Sequence, residues 1–149
     1  MERAIFLRMS NNLPHQAPAF TGVHFWVSDM VASVAFYRAL GFDIAEGSEA
    51  APFVQVRIAD GVEFAFGTHG LTSGYHAGFI PPVGRGSTCL QFVLDSREAV
   101  DALHARLTGT GYASHLAPIN AFWGARYAEV LDPDGNAVGF HSPRDPARE

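Results

Sequence analysis

One pattern, written twice, constrains this chain more than any single motif does. Residues 20–67 run strand, helix and three strands, and residues 87–143 repeat that order. In the first copy Val23, Phe25 and Val27 alternate along "TGVHFWVSD", as a strand with one buried face requires. Asp29 is placed to cap the helix that follows, whose Ser33, Phe36, Tyr37 and Leu40 share a face, and Gly41 is placed to end it. Strands are predicted at 42–45, 54–59 and 62–66, the last two joined by an Asp60-Gly61 turn. In the second copy "TCLQFVLDS" puts Leu90, Phe92 and Leu94 on one face. A helix then follows with Val100, Leu103 and Leu107 inward. Three more strands lie in "YASHLAP", "WGARYAEVLD" and "NAVGFHS", the last two joined at Asp132-Pro133-Asp134-Gly135, a strong turn signal. Helices are therefore expected at about 29–40 and 96–108.

The repeat makes the fold class α+β, two βαβββ modules. Neither is large enough to bury a sufficient core alone, so the two should share a surface. A single domain over 19–143 follows: module 1 at about 20–67, a connection at 68–86, and module 2 at about 87–143. Residues 1–18 read as an N-terminal arm and 144–149 as a tail. With 48% apolar and only 17% charged residues, the composition is globular and not disordered. The formal charge of −5, with no basic run, argues against nucleic acid. No stretch approaches the roughly 20 apolar residues that span a bilayer, and the apolar run before Arg8 is too short for a signal-peptide core. The single cysteine, Cys89, cannot form an intrachain disulfide, which suits a reducing cytoplasm.

"VSDMVASVAFYRALGF" and "WGARYAEVLDPDGNAVGF", set in a doubled module, resemble the vicinal-oxygen-chelate superfamily: glyoxalase I, extradiol dioxygenases, fosfomycin-resistance enzymes and bleomycin-resistance proteins. The resemblance covers roughly residues 20–143. It implies that the modules form a cup-shaped eight-stranded sheet, often completed across a homodimer. In metal-using members four inward residues, usually His, Glu or Gln, converge in the cup. Counted from the matching landmarks, those positions here are Gly22, Glu63, Cys89 and Gly139. Glycine has no side chain to offer, and one carboxylate with one thiol falls short of the three or more protein ligands such a site needs. The resemblance is thus nearest the metal-free, bleomycin-resistance-like branch, and no cofactor is expected.

Glycine at 22 and 139 leads to the expectation of an enlarged cup, although glycine in a strand also permits close packing. His24 and His141 lie two residues beyond those glycines, and strand alternation turns both the same way. They stand about 6.6 Å along the strand from the usual metal point, so hydrogen bonding or stacking in a pocket suits them better than ligation there. By the same parity Trp26 and Gln91 line the cup with Glu63. The expected ligand-binding set is His24, Trp26, Glu63, Gln91 and His141, with no metal ligand and no catalytic residue assigned. For Arg126, Tyr127 and Glu129 the inward face stays open. His69, His76, His104 and His115 are read as surface residues. The Gly- and Pro-rich segment 68–86 is either a lid, closing Tyr75, His76 and Phe79 over the cup, or a plain linker.

The function expected is binding or sequestration of a drug-sized molecule, planar or cationic, by a homodimer without bound metal. Two enzymatic alternatives stand beside it. One is a metal-dependent lyase, isomerase or dioxygenase using Glu63 with displaced histidines. The other is a metal-free enzyme with Glu63 or a histidine as general base.

Overall fold

The computed structural model describes residues 19–83, 86 and 88–148. The arm expected at 1–18 lies outside the described residues, as do positions 84, 85, 87 and 149. Module 1 comprises β1 (Gly22–Val27), α1 (Met30–Leu40), β2 (Phe53–Ala59) and β3 (Val62–Thr68). A short helix, α2 (His69–Tyr75), follows. Module 2 comprises β4 (Cys89–Val93), α3 (Arg97–Gly109), β5 (Ser114–Asn120), β6 (Arg126–Leu131) and β7 (Ala137–His141).

Local chemistry fixes the helix ends where the sequence places them. The Asp29 carboxylate accepts from the Ala32 amide at 3.0 Å, and Ser96 does the same for Ala99 at 3.1 Å. Each such cap is worth about 1 kcal/mol. Gly41, at φ 122°, turns its amide back to the carbonyls of Tyr37 and Arg38, which closes α1 in a conformation other residues avoid. α2 occupies the start of the 68–86 connection, which the sequence left open between a lid and a plain linker. Thr68 accepts from the Leu71 amide at 3.2 Å and starts a helix where glycines suggested only a loop.

The two modules repeat one topology. In the first sheet the order is β1-β3-β2, with β1 parallel to β3 and β2 antiparallel to it. In the second it is β4-β7-β6-β5, with β4 parallel to β7 and the rest antiparallel. Phe25 lies opposite Phe66, and Phe92 opposite Phe140, so the registers of the two halves match.

The eighth strand expected at 42–45 is not formed, and the sheets have three and four strands instead of one continuous eight. The reason is a competitor for the backbone. Arg38 donates from Nε to the Ile44 carbonyl at 2.9 Å and from Nη2 to the Ala45 carbonyl, so these acceptors serve a side chain and not a neighbouring strand. β5 survives as an edge strand with two register shifts, and Pro118, which has no amide to donate, is tolerated there.

A single core joins the halves. Val34, Phe36, Tyr37 and Phe66 from module 1 are fully buried, as are Val100, Leu107, Val130, Val138 and Phe140 from module 2. Phe92 meets both Phe42 and Phe64, at ring separations of 5.8 and 6.3 Å, and Phe36 meets Tyr112 at 4.9 Å. The corner between β6 and β7 is a polar bracket on that core. Asp132 accepts from the amides of Asp134 and Asn136 and from the Asn136 side chain. It also accepts from the Tyr37 hydroxyl at 2.9 Å, while Asp134 accepts from the amide and hydroxyl of Ser28. No described helix is long and apolar enough to cross a membrane.

Candidate functional site

With the helices packed on one face of each sheet, strand alternation presents the other residues on the open face. In module 1 that face carries Gly22, His24 and Trp26, then Glu63, Ala65 and Gly67, then Phe53, Gln55 and Arg57. In module 2 it carries Cys89, Gln91 and Val93, then Gly139 and His141, then Tyr127 and Glu129. The orientation of strand β6, open from sequence, is thereby decided: Tyr127 and Glu129 share the face of Gly139.

The matched registers revise the set of converging positions. Gly22 pairs with Glu63 and His24 with Ala65, while Cys89 pairs with Ala137 and Gln91 with Gly139. The counterpart of Gly139 in module 1 is therefore Ala65, and Glu63 is the counterpart of Ala137. Glu63 is itself engaged near the start of the central strand β3, accepting from the Gln55 amide and lying 3.7 Å from Arg57. With Gly22, Ala65, Cys89 and Gly139 as the equivalent quartet, only a thiol can ligate. Neither this quartet nor the one with Glu63 fits a metal centre. Among the described residues no group of three or more His, Cys, Asp or Glu side chains could hold a metal ion.

Nor do the two glycines enlarge a cup. A Cβ on Gly22 would stand 2.1 Å from the Glu63 carbonyl oxygen, so glycine is there because two backbones approach closely. A Cβ on Gly139 would stand 2.6 Å from Gln91 Nε2 and 2.7 Å from the Tyr127 hydroxyl. The space that glycine leaves is filled by those two side chains.

Around Gly139 they form the most developed polar network of the open face. Gln91 Nε2 donates to the Tyr127 hydroxyl at 2.9 Å and to Cys89 Sγ at 3.1 Å. Tyr127 in turn donates to Glu129 Oε1. The other Glu129 oxygen lies 2.8 Å from His115 Nδ1. Burial first, and then the hydrogen bond to Glu129, push the Tyr127 phenol above its ordinary range, with the Gln91 donor pulling the other way. Tyr127 is thus a proton donor throughout the physiological range. Beside it lies a recess of about 280 Å³ lined by Gln91, Trp123, Tyr127, His141 and Arg144. Trp123 meets the Tyr127 ring at 5.5 Å, and His141 Nδ1 lies 2.8 Å from the Ser142 carbonyl. Since a carbonyl only accepts, Nδ1 carries the proton and Nε2 is the acceptor of the neutral ring.

The residues singled out from sequence are divided between the modules. Gln91 and His141 share the recess just described. His24 and Glu63 line a smaller one of about 130 Å³ with Gln55 and Ala65. His24 also meets Trp26 at 6.3 Å and Phe53 edge-on at 5.4 Å, and its ring occupies the space above Gly67. Trp26 packs against Phe79 at 5.5 Å, so the segment after α2 reaches module 1's open face. His115, read as a surface residue, belongs to the network because β5 pairs with β6 and brings it beside Glu129. Trp123 and Arg144 were missed. One precedes β6 and the other was read as tail, and nothing local in their sequence marks them as neighbours.

A family model described as the glyoxalase/bleomycin resistance protein/dioxygenase superfamily matches residues 18–140. No curated protein matches the sequence. Among solved structures, a glyoxalase-related enzyme from Fulvimarina pelagi aligns with a TM-score of 0.72 at 18% identity, over 85% of this chain and 89% of that one. A family enzyme from Burkholderia phytofirmans PsJN aligns at 0.65 and 23% identity, over 82% and 96%. A lactoylglutathione lyase from Agrobacterium tumefaciens aligns at 0.61 and 19%, over 85% and 94%. At these identities the likeness is one of fold.

Proposed function

Because the chain belongs to the glyoxalase/bleomycin resistance protein/dioxygenase superfamily, we propose that it uses the open face of this fold to bind a small organic molecule, without a metal at the converging positions. The observation that carries the reading is the recess beside Gly139, where Gln91, Tyr127 and His141 present hydrogen-bonding groups and Trp123 a flat aromatic surface. A few fixed polar groups beside an aromatic wall suit an organic ligand, and the volume suits a small one or one end of a larger one. Chelation by Gly22, Ala65, Cys89 and Gly139 has no comparable support, since three of the four have no donor side chain. A homodimer with the two open faces covered is part of the same proposal.

The test is a thermal-shift screen of small organic molecules, followed by calorimetric titration of whichever compound raises the melting temperature. Gln91→Ala and Tyr127→Phe should each weaken it severalfold, and Trp26→Ala on the other module should weaken it less. Equal affinity in wild type, Gln91→Ala and Tyr127→Phe, with the fold intact, would move the site elsewhere.

A second reading has one specific observation behind it. The chain from Tyr127 through Glu129 to His115 links an acid, a carboxylate and an imidazole by direct contacts, as metal-free proton transfer would require. A bound compound recovered chemically altered, and recovered intact from Glu129→Gln, would favour it.

A further inference from the structure

Among the described residues Arg144 differs from the other arginines in having no partner. Every other described arginine has a partner. Arg38, Arg57, Arg126 and Arg148 each face a carboxylate, while Arg97 and Arg106 donate to backbone carbonyls. Arg144 makes no ion pair or hydrogen bond among the described residues, yet it lines the recess with Gln91, Trp123, Tyr127 and His141. Asp145, the next residue, is paired with Arg148 at 3.0 Å, and the one carboxylate in the network is Glu129. It does not line the recess, and its two oxygens are engaged by Tyr127 and His115. Arg144 therefore brings to the wall of the recess a guanidinium that no described carboxylate pairs with, on a chain whose formal charge is −5.

We propose that Arg144 selects an anionic ligand, and that the recess takes a small planar carboxylate. This deepens the reading that the recess is a ligand site and depends on it. A guanidinium presents paired donors that match the two oxygens of a carboxylate, and the match is lost in an amide or a cation of the same shape. Trp123 supplies the flat surface for the body of such a ligand. The Tyr127 phenol stays protonated with its hydrogen donated to Glu129, so at the same wall it offers a ligand only an acceptor oxygen. The acceptor nitrogen of His141 is matched by a hydroxyl or amine on the ligand body. The earlier expectation of a cationic ligand is replaced, at this recess, by its opposite.

The experiment uses three probes of nearly one shape and different charge: benzoate, benzamide and benzamidine. Binding to the full chain is followed by amide chemical shifts at Trp123, Tyr127 and His141, at low and high salt. Benzoate should bind about five- to tenfold more tightly than benzamide at low salt, and the gap should narrow as salt rises. Arg144→Gln should remove that gap, weakening benzoate severalfold more than benzamide. Trp123→Ala should weaken benzoate and benzamide alike. Benzamidine binding as tightly as benzoate, or a preference for benzoate that survives Arg144→Gln, would overturn the assignment of charge selection to Arg144. Benzoate and benzamide binding equally, with both lost in Trp123→Ala, would overturn the charge selection and leave the ligand site standing. No shift at the recess with any of the three probes at millimolar concentration would overturn both.

Discussion

The Tyr37 hydroxyl donates to the Asp132 carboxylate across 2.9 Å, a buried bond that ties the helix of one module to the last hairpin of the other. Burial first, and then the charge of Asp132, push the Tyr37 phenol well above its ordinary value of 10.0. Tyr37→Phe should cost about 1–3 kcal/mol, because it leaves a buried carboxylate one donor short. A folded pKa raised above the unfolded one gives stability that is complete below pH 10 and lost as pH rises beyond it. Wild type should therefore lose stability above pH 10 more steeply than Tyr37→Phe. Urea denaturation of both proteins, near neutrality and above pH 10, measures this directly.

Gly22 and Gly139 should respond differently to the same substitution. Gly22→Ala drives a methyl into the Glu63 carbonyl, which can move only with its strand, and should cost about 3 kcal/mol or prevent folding. Gly139→Ala meets the ends of Gln91 and Tyr127, which can swing aside, and should cost less while breaking their hydrogen bond. Melting temperatures rank the two. An equal loss would show that Gly22 is not held by backbone contact.

Glu129→Gln should lower the ionisation range of Tyr127. The carboxylate raises that phenol through its hydrogen bond and its charge, and the variant removes the charge while the burial stays. Ultraviolet titration of the variant against wild type, with Tyr127→Phe to assign the transition, gives the shift. Movement upward would contradict the network described here.

Zinc, nickel and manganese should leave the melting temperature of the purified protein unchanged at stoichiometric concentration. Near-stoichiometric metal retained through tag-free purification and lost on Glu63→Ala would refute that expectation, and with it the metal-free proposal.

The fold was legible where local and periodic signals agreed. Asp29 and Gly41 bounded α1, Phe25 and Phe92 marked equivalent strands, and the Asp-Pro-Asp-Gly corner turned as its residues demand. Segment 42–45 was misread because its sequence suits a strand, and only the folded chain brings Arg38 against its carbonyls. The site was half legible. Parity put Gln91 and His141 on one face, but their partners Trp123 and Arg144 arrive from outside the strands. The register of Glu63 was misjudged because it was counted two residues beyond its Asp-Gly corner, while Gly139 lies four beyond the equivalent glycine. The spacing from Gly61 to Ala65 and from Gly135 to Gly139 is the true correspondence.

The matched registers have a consequence for stoichiometry. A duplicated fold offers each chain two places of the same geometry, and a ligand that recognised shape alone would fill both. Here Gln91 answers to His24, Tyr127 to Phe53, and Glu129 to Gln55, so the first half presents the same frame with different groups at those three positions. A titration that depends on those groups should end at one equivalent per chain.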